Sequence, residues 1–268
     1  MAFINCSFNS VLLRKAVALN AVIPQTPVEQ PYRYGELSGK RYRTVFLLHG
    51  LSDDHTAWSR YTSIERYANM YNVAVIMPDG SRSFYTDAAN GFPYWSFISE
   101  ELPAIAAELF PISLKKEDCF VAGLSMGGYG ALKLALRLPE RFAAAAALSP
   151  VVDIKRRFEA EESALWLPEL ENIFISPEHA RTSGNDLYDL AEKAVASQTE
   201  LPRIISFCGD GDFMLEDNRS FNAAMKDLNY PEFHCYEYPG AHNWQFWDRH
   251  IQDAFRFFFK NELPGDQL

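Results

Sequence analysis

The chain has 268 residues, with 25 basic and 35 acidic side chains and a formal net charge of −10. Its 48% hydrophobic and 22% charged residues are ordinary for a globular protein, and a chain of this length can bury roughly 75% of its unfolded surface. The acidic surplus argues against a nucleic-acid role, because phosphate contacts need clustered Lys and Arg.

The runs Phe3 to Phe8 and Lys15 to Ile23 read as strands and precede any helical pattern. They therefore predict an antiparallel hairpin at one edge of a sheet. Further strands are expected at Thr44 to Leu48, Val73 to Met77, Cys119 to Ala122, Ala143 to Leu148, Arg203 to Phe207 and Phe233 to Tyr238. Several are unbroken apolar runs, as central strands buried on both faces require. Helical patterns fill the gaps, at Ser63 to Tyr71, Phe97 to Phe110, Met126 to Leu138, Leu187 to Ala196, Asp217 to Leu228 and Trp244 to Asn261. Pro78, Pro139 and Pro239 fall at element ends, where a missing N–H does least harm. The alternation predicts an α/β fold, with a mostly parallel central sheet and helices on both faces. No repeat, low-complexity stretch or linker interrupts it, so residues 1–268 are expected to form a single domain. Between Pro150 and Pro202 the rhythm breaks: the stretch is mixed and charged, without a clear strand, and carries Trp166 and Leu167 near its middle. A stretch that long predicts a covering, lid-like insertion at about 151–202.

Membrane and secretion readings fail on the same sequence. The longest apolar stretches, such as Phe142 to Leu148, fall far short of the ~20 residues of a spanning helix. The start, Met-Ala-Phe-Ile-Asn-Cys, has no basic region ahead of an apolar run, so no signal peptide is expected. Cys6, Cys119, Cys208 and Cys235 form no CxxC pair and read as free thiols, which fits a cytoplasmic compartment. The histidines are scattered without HxH or HExxH spacing, and no phosphate-cradling loop with its Lys is present. Neither a metal nor another cofactor is expected.

The strongest chemical signal is Gly123-Leu124-Ser125-Met126-Gly127-Gly128-Tyr129-Gly130-Ala131, between an apolar strand and an Ala/Leu-rich helix. This is a G-x-S-x-G nucleophile elbow in its strand-turn-helix context. The sharp turn lifts the serine Oγ above the sheet, and the flanking glycines are needed because a Cβ there would collide with neighbouring backbone. Ser125 also opens a helix, whose free N–H groups favour developing negative charge. Such a serine needs a base. Of the six histidines, His242 lies in Pro239-Gly240-Ala241-His242-Asn243-Trp244, after the last strand and before the last helix. Loops at the carboxyl ends of strands are where an α/β sheet places its reactive groups. His234 falls inside a strand and His250 in the last helix, while His55 and His179 read as solvated. The acid that orients His242 should follow the preceding strand, in Phe207-Cys208-Gly209-Asp210-Gly211-Asp212-Phe213. Position alone does not choose between Asp210 and Asp212, since either could be a plain turn residue. The oxyanion needs two backbone donors: Met126 N–H, next to the nucleophile, and Leu51 N–H in His49-Gly50-Leu51-Ser52-Asp53-Asp54. His49 then reads as a packing residue of that loop. The aromatic segment Ser83 to Ser99 either walls a substrate pocket, with Tyr94 and Trp95 as its candidates, or anchors the next helix. Trp166 and Leu167 are the candidates for closing the acyl side.

Taken together, His49-Gly50-Leu51, Gly123 to Ala131, Cys208 to Phe213 and Gly240-Ala241-His242-Asn243-Trp244 resemble the esterase D-like branch of α/β hydrolases, and most of all the bacterial tributyrin esterases. Ser7, Ala18 to Pro24 and Glu100-Glu101-Leu102-Pro103 fit that group too, so the resemblance covers nearly the whole chain. It implies an α/β-hydrolase fold and a serine carboxylesterase acting on short acyl esters. It also implies that Asp212, which matches the family's Gly-x-x-Asp-Phe pattern, is the acid and Asp210 a turn residue. The S-formylglutathione hydrolases of the branch carry Thr-Cys-Thr-Asp-Glu in the oxyanion loop and His at the elbow, where this chain has Ser52-Asp53-Asp54-His55 and Leu124. That favours carboxyl esters over a glutathione thioester, while feruloyl and acetylxylan esterases share the scaffold. Relatives of this shape are often homo-oligomers, so self-association is a further expectation of the resemblance.

Overall fold

Successive side chains of a strand point to opposite faces, so an unbroken apolar run has a buried layer on each side. Burial on both faces holds for the central strands and not at the sheet's edges; in all, the computed structural model, which describes residues 1–25, 39, 41–160, 167–197 and 199–260, has eight strands. They are β1 (Ala2–Ser10), β2 (Lys15–Ile23), β3 (Thr44–Leu48), β4 (Ala74–Pro78), β5 (Cys119–Leu124), β6 (Ala144–Leu148), β7 (Arg203–Gly209) and β8 (Phe233–Tyr238). They form one sheet in the order β1-β2-β4-β3-β5-β6-β7-β8. The pairs β1–β2 and β2–β4 are antiparallel, and the other pairs are parallel. This is the mostly parallel sheet with an edge hairpin that the sequence predicts.

The helices are α1 (Ala57–Tyr61), α2 (Ile64–Tyr71), α3 (Tyr94–Ser96), α4 (Leu102–Leu109), α5 (Met126–Arg137), α6 (Ile154–Glu159), α7 (Leu167–Phe174), α8 (Pro177–Thr182), α9 (Leu187–Ala196), α10 (Leu215–Asp227) and α11 (Trp244–Lys260). Phe46, Leu48, Val121, Ala145 and Ile204 pack on one side of the sheet with residues of α5, α9 and α10, among them Tyr129, Leu190 and Phe221. Val45, Leu47, Phe120, Ala122 and Ala146 pack on the other with Trp58 of α1, Tyr67 of α2 and Phe255 of α11. Among the described residues no helix is long and apolar enough to cross a membrane.

The expected helix at Phe97 to Phe110 begins earlier, at Tyr94, and passes through a π-turn at Phe97–Glu101 before α4. Pro103 has no N–H for the Ser99 carbonyl, and the Arg141 guanidinium donates to that carbonyl instead. Glu101, just before α4, accepts from Ser10 Oγ at 2.5 Å and from the Val11 N–H at 2.6 Å, which ties the edge hairpin to this helix. The described parts of the stretch without a clear strand hold four helices, α6 to α9, joined by turns.

Lys133 of α5 is wholly buried. Its amine donates to the Tyr85 carbonyl at 3.1 Å and to Thr86 Oγ1 at 2.8 Å, beneath the ring of Trp95. Burial holds its pKa well below the ordinary lysine value.

β6 is alanine at four successive positions, which lets α5 and α11 lie close against its two faces. Ala146 has no exposed surface and faces α11. Ala146→Leu should therefore destabilise the protein by about 1–3 kcal/mol through overpacking. Urea unfolding followed by circular dichroism would read this as a lower midpoint at unchanged slope; an unchanged midpoint would contradict the packing described.

Candidate active site

The parallel register brings the ends of five strands to one edge of the sheet. Leu48 pairs with Gly123, Leu124 with Leu148, and Leu148 with Phe207, while Gly209 pairs with Tyr238. The loops that follow each strand therefore converge above β5. Ser125 forms the turn from β5 into α5, at φ 52° and ψ −117°. A non-glycine residue there is strained, and neighbouring hydrogen bonds hold it. Its N–H donates to the Leu148 carbonyl at 2.9 Å, and its carbonyl accepts from Tyr129 N–H at 3.1 Å and Val151 N–H at 3.2 Å. A Cβ on Gly127 would lie 2.4 Å from the Leu48 carbonyl oxygen, and one on Gly123 would lie 2.2 Å from that of Gly127. Both positions thus require glycine for close approach, as the elbow reading expects.

Ser125 Oγ lies 3.1 Å from His242 Nε2, and His242 Nδ1 lies 2.9 Å from Asp212 Oδ2. A carboxylate only accepts, so Nδ1 carries the proton and Nε2 is free to accept from the serine hydroxyl. The Met214 N–H donates to Asp212 Oδ1 at 2.9 Å. Burial would push the Asp212 carboxyl up. The hydrogen bond and charge of His242, the Met214 N–H and the Ser149 hydroxyl outweigh it and hold the group below its ordinary value. Asp210 does something else: it is exposed and accepts from the Gly240 N–H at 3.1 Å. Together with the Gly211 N–H on the Gly240 carbonyl at 2.8 Å, this joins the loop of Asp212 to the loop of His242.

Ser125 and His242 open into a cavity of about 710 Å³, whose wall also includes Leu51 and Met126. Met126 is the first residue of α5, so its N–H has no partner within the helix. On the other loop, His49 is buried; its Nδ1 lies 2.7 Å from the Gly50 carbonyl, and its Nε2 accepts from Gly80 N–H at 2.9 Å. The first bond fixes the peptide whose N–H belongs to Leu51, so His49 is a packing and hydrogen-bonding residue, as expected. Across the mouth, Arg82 grips Glu169 of α7 through two bonds of 2.8 and 2.7 Å and also donates to the Leu51 carbonyl at 3.3 Å.

The pocket expectations need correction. Tyr94 and Trp95 are buried and do not line the cavity. Trp95 lies over Lys133 and Arg137, because two long cationic stems on α5 need an apolar cover. The aromatic segment is thus mainly an anchor, although Phe84 does reach the cavity. Leu167 is half-buried outside the wall, and Leu170, one turn further on α7, takes that place. Trp166 lies outside the described residues. His55 is half-buried rather than solvated, whereas His179 is exposed. Sequence reasoning missed Trp247, whose ring stands edge-on 4.9 Å from His242 and whose Nε1–H donates to Ser149 Oγ at 3.3 Å. It also missed Phe213, 4.7 Å from His242. Phe213 is the last residue of the Cys208–Phe213 motif and Trp247 lies three residues past Trp244, and that closeness in sequence was the signal available.

Residues 25–258 match the family model described as a putative esterase. An acetyl esterase of Caldicellulosiruptor saccharolyticus is 29% identical over 97% of this chain and 99% of its own length. The substrate-bound structure of fluorophosphonate-binding serine hydrolase F from Staphylococcus aureus is 33% identical, with a TM-score of 0.85 over 96% of this chain and 98% of that one. An S-formylglutathione hydrolase from the same organism, without ligand, is also 33% identical, with a TM-score of 0.83 and the same coverage.

The depressed Asp212 carboxyl has a stability consequence. A carboxyl whose folded pKa is lowered stabilises the fold above its unfolded value, here 3.8, and that contribution is lost as pH falls through the folded value. The melting temperature of wild type should accordingly exceed that of Asp212→Asn by most above about pH 5, with the gap narrowing toward about pH 3. A gap that widened in acid would contradict the assigned direction.

Proposed function

The chain belongs to the putative esterase family and is a carboxylic ester hydrolase of the α/β-hydrolase fold, and from that premise we propose that Ser125, His242 and Asp212 hydrolyse short-chain acyl esters through an acyl-enzyme. Ser125 Oγ attacks the ester carbonyl carbon while His242 Nε2 takes its proton. Leu51 and Met126 N–H groups bind the oxyanion. The tetrahedral intermediate collapses as His242 returns the proton to the leaving alkoxide oxygen, and the alcohol departs. Water then attacks the acyl carbon with His242 again as base, releasing the acid and restoring the serine. Asp212 keeps the imidazole in the right tautomer throughout. The observation that carries this reading is the unbroken Asp212–His242–Ser125 hydrogen-bond chain, ending on a strained serine in a cavity wall.

The short-chain preference is supported by the likeness to an acetyl esterase and by the buried side chains Phe84, Met126, Val151 and Leu170 in the wall. Helices α6 to α9 serve in this reading as the covering element of a single domain. Four free thiols suit a reducing compartment, and the cytoplasm is the place this reading gives. A thioester is the second reading, favoured by the likeness to an S-formylglutathione hydrolase; turnover of phenyl acetate against phenyl thioacetate separates the two.

Ser125→Ala should fold normally, fail to react with a fluorophosphonate and lose roughly 10⁴-fold or more in kcat. Asp212→Asn should cost on the order of 10³- to 10⁴-fold in kcat, and Asp210→Asn far less; the reverse ranking would make Asp210 the acid. With nitrophenyl esters, kcat/KM should peak between acetyl and butyryl and fall steeply by octanoyl. Each methylene offers only about 0.8 kcal/mol of burial, too little to offset a clash with the wall. A preference for laurate would overturn the short-chain assignment.

A further inference from the structure

Two of the large apolar side chains left exposed on this surface, Tyr61 at 48% and Phe213 at 53%, lie in the wall of the same cavity. Exposed rings cost little singly, but two in one reactive cavity mark a surface built for contact. Both connect to His242 through ring contacts. Phe213 sits 4.7 Å from the imidazole, inclined at 55°. A second run of ring contacts leads outward: His242 meets Trp247 at 4.9 Å, Trp247 meets Trp244 at 5.3 Å, and Tyr61 stacks on Trp244 at 4.9 Å and 30°. Trp58 holds Trp244 from below, edge-on at 5.2 Å, so the outer ring rests on a buried base. The Arg60 guanidinium, 5.4 Å from the Tyr61 ring, adds a cation at the rim.

The chemistry says which part of a substrate these rings meet. The leaving oxygen must lie within hydrogen-bond reach of His242 Nε2, because that atom supplies its proton. The leaving group therefore starts beside His242 and runs out along the rings, while the acyl carbon stays on Ser125. We infer that Phe213, Trp244 and Tyr61 form an alcohol-side platform that selects esters whose leaving alcohol carries a ring with a flat apolar face, an arene or the CH face of a pyranose. This rests on the hydrolytic reading above and adds the alcohol half of the substrate to it.

The test holds the acyl group constant as acetyl and varies the alcohol: n-butyl, benzyl and 2-phenylethyl acetates, whose alcohols are of similar acidity, and an acetylated methyl pyranoside, whose more acidic alcohol is compared between wild type and Tyr61→Ala. Stacking of a ring is expected to raise kcat/KM for benzyl over n-butyl acetate by about three- to tenfold. Tyr61→Ala and Phe213→Ala should each bring that ratio toward one, and Tyr61→Phe should keep it. Tyr61 has no contact with the triad, so a ratio that moves in Tyr61→Ala reports ring contact and not damage to the imidazole. Preference for the pyranoside, lost in Tyr61→Ala, would identify the sugar face, and preference for the benzyl ester alone would identify the arene. An equal kcat/KM for benzyl and n-butyl acetates with no preference for the pyranoside, or an equal loss on every ester in Tyr61→Ala, would overturn the platform and leave the hydrolytic reading standing. If no acetate is turned over, the hydrolytic reading falls first and the platform with it.

Discussion

The start of α5 presses against the end of β3, with Gly127 close to the Leu48 carbonyl and Gly123 close to Gly127 in turn. Everything at the reactive edge depends on that approach. It leaves the connecting residue so little room that its backbone takes a positive φ, and Ser125 points its Oγ into the cavity as a result. Because the approach is between backbones, no side-chain rearrangement could restore it after a larger residue was introduced at either glycine. The same compression places the first turn of α5, with its unsatisfied N–H groups, beside the serine.

The parallel register then does for the other residues what the elbow does for Ser125. Neighbouring strands end level with one another, so Leu51, Ser149, Asp212 and His242 approach β5 from separate loops. The acids divide the work by position. Asp212 is buried under its histidine, where desolvation is outweighed by hydrogen bonds and charge. Asp210, two residues earlier, stays at the surface and ties one loop to the other through Gly240. One short segment thus supplies both the buried carboxylate bonded to the imidazole and the hydrogen bonds that join its loop to that of His242.

Features with a local cause were legible in the sequence. Strand runs such as Val73 to Met77 declare themselves by composition, and the elbow by glycines that have no other reason to be spaced as they are. The choice of Asp212 needed a family resemblance, because two acids in a turn look alike until burial separates them. The cavity wall was not legible, because it is assembled from distant residues such as Tyr61, Phe84, Leu170 and Phe213. Aromatic density says that a segment will pack, without saying against what, and for Tyr94 and Trp95 the answer was the core. Helix α1 was missed because five residues are too few to display a helical period. The register of the helix from Tyr94 was displaced by a π-turn, since an inserted residue rotates every later side chain around the axis.

Lys133 carries a consequence of a different kind. Its amine is enclosed by α5, the Tyr85–Thr86 backbone and the Trp95 ring, and burial weakens its hold on a proton. The unfolded chain keeps that proton to a higher pH, so folding releases it wherever the two states differ in charge. Taken by itself, this group makes stability rise with pH. Over the pH range in which the two states differ in charge, the heat of unfolding should therefore depend on the ionisation enthalpy of the buffer, since opening there draws a proton from it.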